Sequence, residues 1–322
     1  MGFQPDFLWI KCLGTAFSNG LYDSNRGANE YISSNTTGGN VSSYDLMISF
    51  DSDGFTTQKD PSSGNIWNYS SDNYVAWSWH ANAGTTTTND ASATSVGTID
   101  SVYQANTTAG FSIITYTGSG STGSIAHGLG AKPAFLIVKQ LNETRNWMVF
   151  HKSKQDNYFS LNTTGSAQGG YYGSGDDFDS NYTTTTLTWE GGTTEVNKSS
   201  GTYVCYAWAE VDGMSKFGKF TSIGNSNGEY IYLGFKPALF VAKSTGTENW
   251  IVVDNARPGY NPTGNYVFWN LSNAEGGAGG EYVDLLSNGV KIRTTGASIG
   301  SGSTEYIYMA WAEMPQKYSL AR

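Results

Sequence analysis

The sequence predicts an all-β protein made of tandem, jelly-roll-like β-sandwich units, about three of them, with the first incomplete at its amino end. Three observations predict it. Glycine supplies 40 of 322 residues, and aromatic and charged residues stand level at 14% each, a balance that suits short strands joined by tight turns. Tyr, Trp, Phe, Val and Ile recur in compact runs without helical period. Two motifs also return in step along the chain.

The first motif occupies Gly2–Lys11 (GFQPDFLWIK), Gly130–Lys139 (GAKPAFLIVK) and Gly234–Lys243 (GFKPALFVAK). The second occupies Tyr74–His80 (YVAWSWH), Tyr203–Ala209 (YVCYAWA) and Tyr306–Ala312 (YIYMAWA). Pro5, Pro133 and Pro237 are separated by 128 and 104 residues, and Trp79, Trp208 and Trp311 by 129 and 103. Because both markers keep step, the sequence divides into unit one (1–84), unit two (110–213) and unit three (214–322). The Thr/Ser/Asn-rich stretch 85–109 reads as a linker.

Within unit two, strands are expected at Phe111–Tyr116, Ser124–His127, Ala134–Lys139, Trp147–His151, Tyr158–Leu161 and Tyr203–Glu210, with a hairpin across Asp177–Trp189. Unit three shows a hairpin over Tyr282–Arg293, where Asn288-Gly289 suits a type I′ turn, and unit one matches it at Ser52–Phe55. In the closing strand of unit two, Tyr203, Cys205, Ala207 and Ala209 face one way and Val204, Tyr206 and Trp208 the other. Both faces are apolar, so the strand is expected to be central and covered on both sides, with the Trp face filling the sandwich interior. Unit one lacks equivalents of Phe111–Tyr116 and Ser124–His127. A sandwich without them exposes an edge, so upstream sequence or a neighbouring chain is expected to supply the strands.

Composition excludes several classes. A formal charge of −9 without any basic run argues against nucleic-acid partners. No run reaches the roughly 20 apolar residues of a membrane span, so no membrane insertion is expected, and residues 1–20 do not read as a signal peptide. Two cysteines far apart, Cys12 and Cys205, cannot form a disulfide framework and read as buried apolar side chains.

Candidate chemistry is sparse. His80, His127 and His151 lack metal-site spacing, and no nucleophile elbow or Walker loop occurs, so neither cofactor nor catalytic residues are assigned. Asp51/Asp53 and Asp176/Asp177/Asp179 are weak calcium candidates that fit turn geometry better. Asp23…Arg26 and Asp254…Arg257 share a spacing and read as i, i+3 ion pairs ending a strand, which on a surface would contribute about 0–1 kcal/mol, with His151…Lys154 in their place in unit two. The aromatics Trp67, Tyr69, Tyr171, Tyr172, Trp250, Tyr260 and Trp269 fall in or near expected loops and are candidate glycan or partner contacts.

Unit three, with Asn249-Trp250, Asp254–Arg257, Asn270–Glu275 (NLSNAE), Leu286–Thr295 (LSNGVKIRTT) and Met309–Glu313 (MAWAE), resembles a repeated β-rich domain of unknown function. It is found in bacteriophage virion and tail-fibre-like proteins, mainly marine ones. His127–Pro133 (HGLGAKP) carries the likeness into unit two. The resemblance implies a non-enzymatic virion surface protein, a tail fibre or head fibre or decoration, assembled in the host cytoplasm. Its implied partners are other virion proteins, further copies of itself and a host-surface glycan. Two other readings compete. A polysaccharide-degrading tail-spike enzyme needs paired acids in a groove. A bacterial cell-surface adhesin needs a signal and an anchor.

Overall fold

The computed structural model describes residues 1–42, 47–58, 68–69, 71–172, 176–257, 260–277 and 282–313. Over these residues the chain is all-β apart from three single helical turns, Ala91–Thr94 (α1), Phe178–Asn181 (α2) and Thr194–Asn197 (α3). Three main sheets carry the architecture. The first takes Phe7–Cys12 (β1), Gly20–Asp23 (β2), Glu30–Ile32 (β3), Val41–Ser42 (β4) and Tyr74–Trp79 (β7) in the order β4-β3-β2-β1-β7; Met47–Asp51 (β5) and Gly54–Thr57 (β6) form a separate hairpin. The second takes Thr87–Asn89 (β8), Ser101–Asn106 (β9), Phe111–Thr117 (β10), Pro133–Gln140 (β12), Met148–His151 (β13), Asn157–Ser160 (β14), Gln168–Gly169 (β15) and Thr202–Ala209 (β17), ordered β15-β14-β13-β12-β17-β10-β9-β8. Gly123–Ala126 (β11) pairs with Thr186–Trp189 (β16) beside it. The third takes Ser215–Thr221 (β18), Pro237–Ser244 (β20), Trp250–Asp254 (β21), Val267–Phe268 (β22) and Glu305–Ala312 (β25), ordered β18-β25-β20-β21-β22. Tyr230–Tyr232 (β19), Val283–Leu286 (β23) and Gly289–Ile292 (β24) make a smaller sheet, β19-β24-β23.

The two sequence motifs meet in each main sheet as neighbouring antiparallel strands. Phe7 lies opposite Trp79, Phe135 opposite Trp208 and Leu239 opposite Trp311. In the second and third sheets the ladder slips once, between Pro133 and Phe135 and between Pro237 and Leu239. Proline has no N–H for the ladder, so a bulge at that point sacrifices nothing.

Period-two alternation then sorts the side chains into two layers. Phe7 and Trp9, Phe135 and Ile137, and Leu239 and Val241 all enter one continuous apolar core, with Val75, Trp77, Val204, Tyr206, Trp208, Ile307 and Met309 from the closing strands. The opposite faces pack outward. Leu136, Val138, Cys205 and Ala207 meet Ile125, Phe178 and Leu187; Phe240, Ala242 and Ala310 meet Val283, Val290 and Ile292; Leu8 and Ile10 meet Phe50 and Phe55. The expectation that both faces of the closing strand are covered therefore describes β17 and β25, but its Trp face lies elsewhere than expected. That face lines the core common to all three sheets, and the small face lies against the outer layer. At one end of the common core Trp79, Trp208 and Trp311 form a triangle of edge-to-face contacts, with ring centroids 5.7, 5.4 and 5.8 Å apart.

Four local expectations are corrected. Residues 85–109, expected as a linker, hold β8, α1 and β9, which extend the second sheet beyond β10. Their low apolar content reflects burial through hydrogen bonds: Gln104 is buried and donates to Ser24 and Asn25, and Ser101 donates to the Ala126 carbonyl. The expected hairpin across Asp177–Trp189 contains α2, because Asp177 and Ser180 form a reciprocal capping box that satisfies the helix's first N–H groups. In the Tyr282–Arg293 hairpin Leu286 pairs with Gly289, so the two-residue loop is Ser287-Asn288 and neither Asn288 nor Gly289 has positive φ. Glycine is needed at 289 for another reason: a Cβ there would meet the Ile231 carbonyl oxygen at 2.2 Å. The Ser52–Phe55 hairpin has the same register, with Asp51 opposite Gly54.

Candidate functional site

The motif residues with chemical side chains converge on the seams between sheets. After each motif lysine the strand offers a carbonyl to the next sheet. Leu13 O accepts from Glu275 N at 2.9 Å, Leu141 O from Asn40 N at 2.7 Å, and Thr245 O from Ala167 N at 2.9 Å. The first sheet thus receives from the third, the second from the first, and the third from the second, so the contacts run round in a cycle. Aromatic donors reinforce the seams. Trp147 Nε1 donates to Ser33 O and Thr36 O, and Trp250 Nε1 donates to Ser160 O. Asn19 Nδ2 reaches Leu271 O at the third seam, where Trp9 stacks on Trp269 with centroids 4.1 Å apart.

The lysines themselves are fully buried. Lys11 Nζ donates to Phe17 O and Ser272 O, Lys139 Nζ to Thr37 O and Arg145 O, and Lys243 Nζ to Ser244 O and Gly246 O. Burial pulls each ammonium down to about 8. Their role is to satisfy loop carbonyls at the seams, since a buried carbonyl without a donor is costly.

The two Asp…Arg pairs are the i, i+3 ion pairs at strand ends that the spacing predicts, and both are buried. Arg26 Nε meets Asp23 Oδ2 at 2.6 Å with the side chains 5% and 0% exposed, and Arg257 Nε meets Asp254 Oδ2 at 2.8 Å with 5% and 3%. The remaining contacts match group for group. Arg26 donates to Leu21 O and Asn40 Oδ1, and Arg257 to Val252 O and Glu275 Oε1. Each aspartate also accepts across a seam, from Tyr206 Oη at 2.7 Å and from Trp77 Nε1 at 3.2 Å. Burial opposes the Arg26 charge, but Asp23 and the Tyr206 hydroxyl hold its pKa above the ordinary arginine value. At the seam between the second and third sheets His151 takes this place, with Nε2 3.2 Å from Tyr308 O.

Burial lowers His151 to about 3 and His127 to about 4. An unfolded histidine titrates near 6.5, so below that pH the unfolded chain binds protons that the folded chain refuses. Stability is therefore full above about pH 6.5 and falls as the pH drops toward 4, by on the order of 6 kcal/mol for the two groups together. Urea unfolding between pH 7 and 4.5 measures it, and His151→Gln is expected to flatten the slope by about half.

The sequence-derived candidates scatter. Trp250 and Trp269 are at most 1% exposed and Tyr171 is buried in the outer layer with Tyr172 against it, so these four rings are committed to packing. Trp67 lies outside the described residues. Tyr69 and Tyr260 are exposed, Tyr260 at 81%. Asp51 accepts from Ser49 and Thr56 in its hairpin, with Asp53 in the turn beside it, Asp177 caps α2, and Asp179 pairs with Lys132; Asp176 is exposed. Among the described residues no three His, Cys, Asp or Glu side chains group in a metal-binding arrangement. Cys12 and Cys205 are free and buried.

Sequence reading missed two features. Asp6, fully buried, accepts from Ala81 N, Ala83 N, Gly84 N and Ser24 Oγ, pinning the chain after β7; only its place beside Pro5 hinted at a role. Tyr230 and Tyr232 project from β19, an edge strand, both exposed, with Lys216 Nζ 5.1 Å from the Tyr232 ring centre and Tyr230 Oη on Asn288. Their spacing of two puts both rings on one face, and alternation around Ile231 signals it in the sequence.

A family model described as Domain of unknown function (DUF7483) matches residues 1–315. The chain belongs to that family. No curated protein and no solved structure matches it. The DUF7483 match runs through all three main sheets, as does the shared core, so the family's extent and the packing unit coincide over the described residues.

Proposed function

We propose that this DUF7483 chain is a non-enzymatic structural module of a bacteriophage virion surface, a tail fibre or a head fibre or decoration. In it three copies of one β unit close into a ring that acts as a rigid spacer and carries a host-surface contact. The observation that carries the reading is where the chemical side chains go. The motif lysines, both Asp…Arg pairs and His151 each bind a neighbouring sheet or the loop beside it, in matching positions around a cycle. A chain that puts its charged motif residues into seams is organised for rigidity. The resemblance of the motifs to virion proteins supports the location. The exposed Tyr230, Tyr232, Tyr260 and Tyr69 are the candidate glycan or partner contacts, since a tyrosine ring offers a flat apolar face with a polar tip.

Immunogold labelling of virions carrying the chain is expected to decorate the intact particle surface. Label appearing only after particle disruption would refute a surface role. Incubation with host capsule and lipopolysaccharide fractions is expected to give binding weakened by Tyr232→Ala without any shortening of the polysaccharide. Release of oligosaccharides would establish the enzyme reading instead.

A further inference from the structure

The protein's net charge is −9, and among the described residues its surface lysines and arginines meet an aspartate or glutamate, with two exceptions. The exceptions are Lys216 and Lys291, and both flank the exposed tyrosine pair of β19. Lys216 Nζ lies 5.1 Å from the Tyr232 ring centre. Lys291 stands opposite Tyr230 in the ladder between β19 and β24, and its Nζ donates to the Gly228 carbonyl at 2.6 Å. Neither Tyr69 nor Tyr260, the other exposed tyrosines named above, has a cation over its ring among the described residues.

Alternation gathers these groups on one face of the small sheet. Ile231, Val290, Ile292, Val283 and Leu285 point into the apolar cluster beneath it, so Tyr230, Tyr232, Lys291 and Asp284 point away from that cluster. Asp284 is bound by Arg293 Nε at 2.7 Å, which leaves the charges of Lys216 and Lys291 uncompensated. Glu229 alternates to the other side of the strand, where it accepts from Ile223 N. The tyrosine rings are held as platforms. A Cβ at Gly289 would lie 2.9 Å from Tyr230 Cε2, so that ring lies across the glycine, and its hydroxyl donates to Asn288 Oδ1 at 2.5 Å. Tyr230 and Tyr232 remain 45% and 60% exposed and stand about 7 Å apart along the strand. A ring already fixed by its neighbours loses little freedom when a ligand stacks on it.

We propose that Tyr230, Tyr232, Lys216 and Lys291 form a binding site for an acidic polysaccharide. The tyrosines stack on its sugar rings, and the two ammonium groups take its carboxylates. The proposal names the ligand class of the tyrosine contact put forward above and rests on that reading. Charge complementarity selects this occupant. A neutral glycan uses the rings and makes no use of the two ammonium groups, while an acidic peptide uses the ammonium groups and makes little use of two flat rings side by side. A polymer of sugar acids uses both, and it repeats its ring and its charge along its length, so one chain can engage the paired tyrosines together.

Polygalacturonate and its methyl ester present the same sugar rings with and without the charge. In equilibrium binding to the full chain at low salt, the acid is expected to bind about tenfold more tightly than the ester, and the difference is expected to shrink as salt screens it. Lys216→Gln combined with Lys291→Gln is expected to remove that tenfold advantage, about, and leave the ester unchanged, whereas Tyr232→Ala weakens both. Polyglutamate, which carries carboxylates without sugar rings, is expected to bind more weakly than polygalacturonate by a similar factor. Equal binding of polyglutamate would give the face to an acidic protein partner and overturn the proposal. Equal binding of acid and ester, unaltered by the lysine substitutions, overturns the acidic ligand and leaves the tyrosines as a glycan contact. Failure of the unmutated chain to bind either polymer counts against the glycan contact and the acidic ligand together.

Discussion

Trp208→Ala is expected to destabilise the whole chain by about 3–5 kcal/mol in a single cooperative transition. Trp208 is 2% exposed and lies within 6.2 Å, ring centre to ring centre, of Phe7 and Trp79 from the first sheet, Phe111 and Phe135 from its own, and Trp311 from the third. Removing the indole leaves a cavity bordered by all three sheets, and the surrounding rings cannot all move in to fill it. Two comparisons sharpen the result. Trp311→Ala is expected to cost less, because that ring is already partly exposed. Trp208→Phe is expected to cost the least, because the Trp208 Nε1 has no hydrogen-bond partner among the described residues and no bond is lost with it. Urea unfolding followed by both tryptophan fluorescence and far-ultraviolet circular dichroism measures all three variants. Independent sandwiches strung along a chain would show two transitions, with only one of them displaced by the substitution.

Much of this architecture was legible in one dimension. The Gly-x-x-Pro…Lys and Tyr…Trp motifs fixed two neighbouring strands in each sheet, and β10, β12, β17 and β25 fall within a residue or two of their expected limits. Alternation also identified two apolar faces on Tyr203–Ala209. Alternation does not say what lies against each face, because a face buried on its own outer layer and one buried on a neighbouring sheet have the same composition. That is why the Trp face was assigned to a sandwich interior when it lines a core shared by three sheets. The site was less legible. Trp250 and Trp269 stand among Asn, Gly and Glu residues and read as loop aromatics, yet those polar residues build the seam that the two rings plug: Asn270 accepts from Trp250 N, and Ser34 Oγ donates to Trp269 O. Asn19 reads as an ordinary polar residue, and only the seam shows it reaching across where Trp147 and Trp250 do elsewhere. Polar residues buried by long-range hydrogen bonds leave no periodic trace, so contacts between distant segments are what sequence patterns lose first.

Arg26→Ala is expected to cost about 3–5 kcal/mol, far more than deletion of an exposed ion pair. The substitution leaves the Asp23 carboxylate, fully buried, with the Tyr206 hydroxyl and the Arg26 backbone N–H as donors and no countercharge. It also frees the Leu21 carbonyl and Asn40 Oδ1, both of which accept from the guanidinium. Arg26→Lys should recover little of the loss, because one ammonium cannot reach Asp23, Asn40 and Leu21 with the planar fork that arginine presents. The partner's removal gives the opposite expectation. Asp23→Leu combined with Arg26→Met deletes both charges and is expected to be much milder than either single change, since a buried pair contributes little net stability over an apolar replacement of similar size. The second sheet already shows that a charge pair is dispensable at this position, for there the seam is held by His151, kept neutral by burial, against the Tyr308 carbonyl. A double-mutant cycle between Arg26→Ala and Tyr206→Phe, read by urea unfolding at pH 7, is expected to give a coupling of about 1 kcal/mol or more, because the two side chains share one carboxylate across the seam. Strictly additive effects would mean that Asp23 and Arg26 hold only their own loop, and that the first and second sheets are joined by apolar packing and by the other hydrogen bonds of the seam, those of Lys139, Trp147 and Leu141.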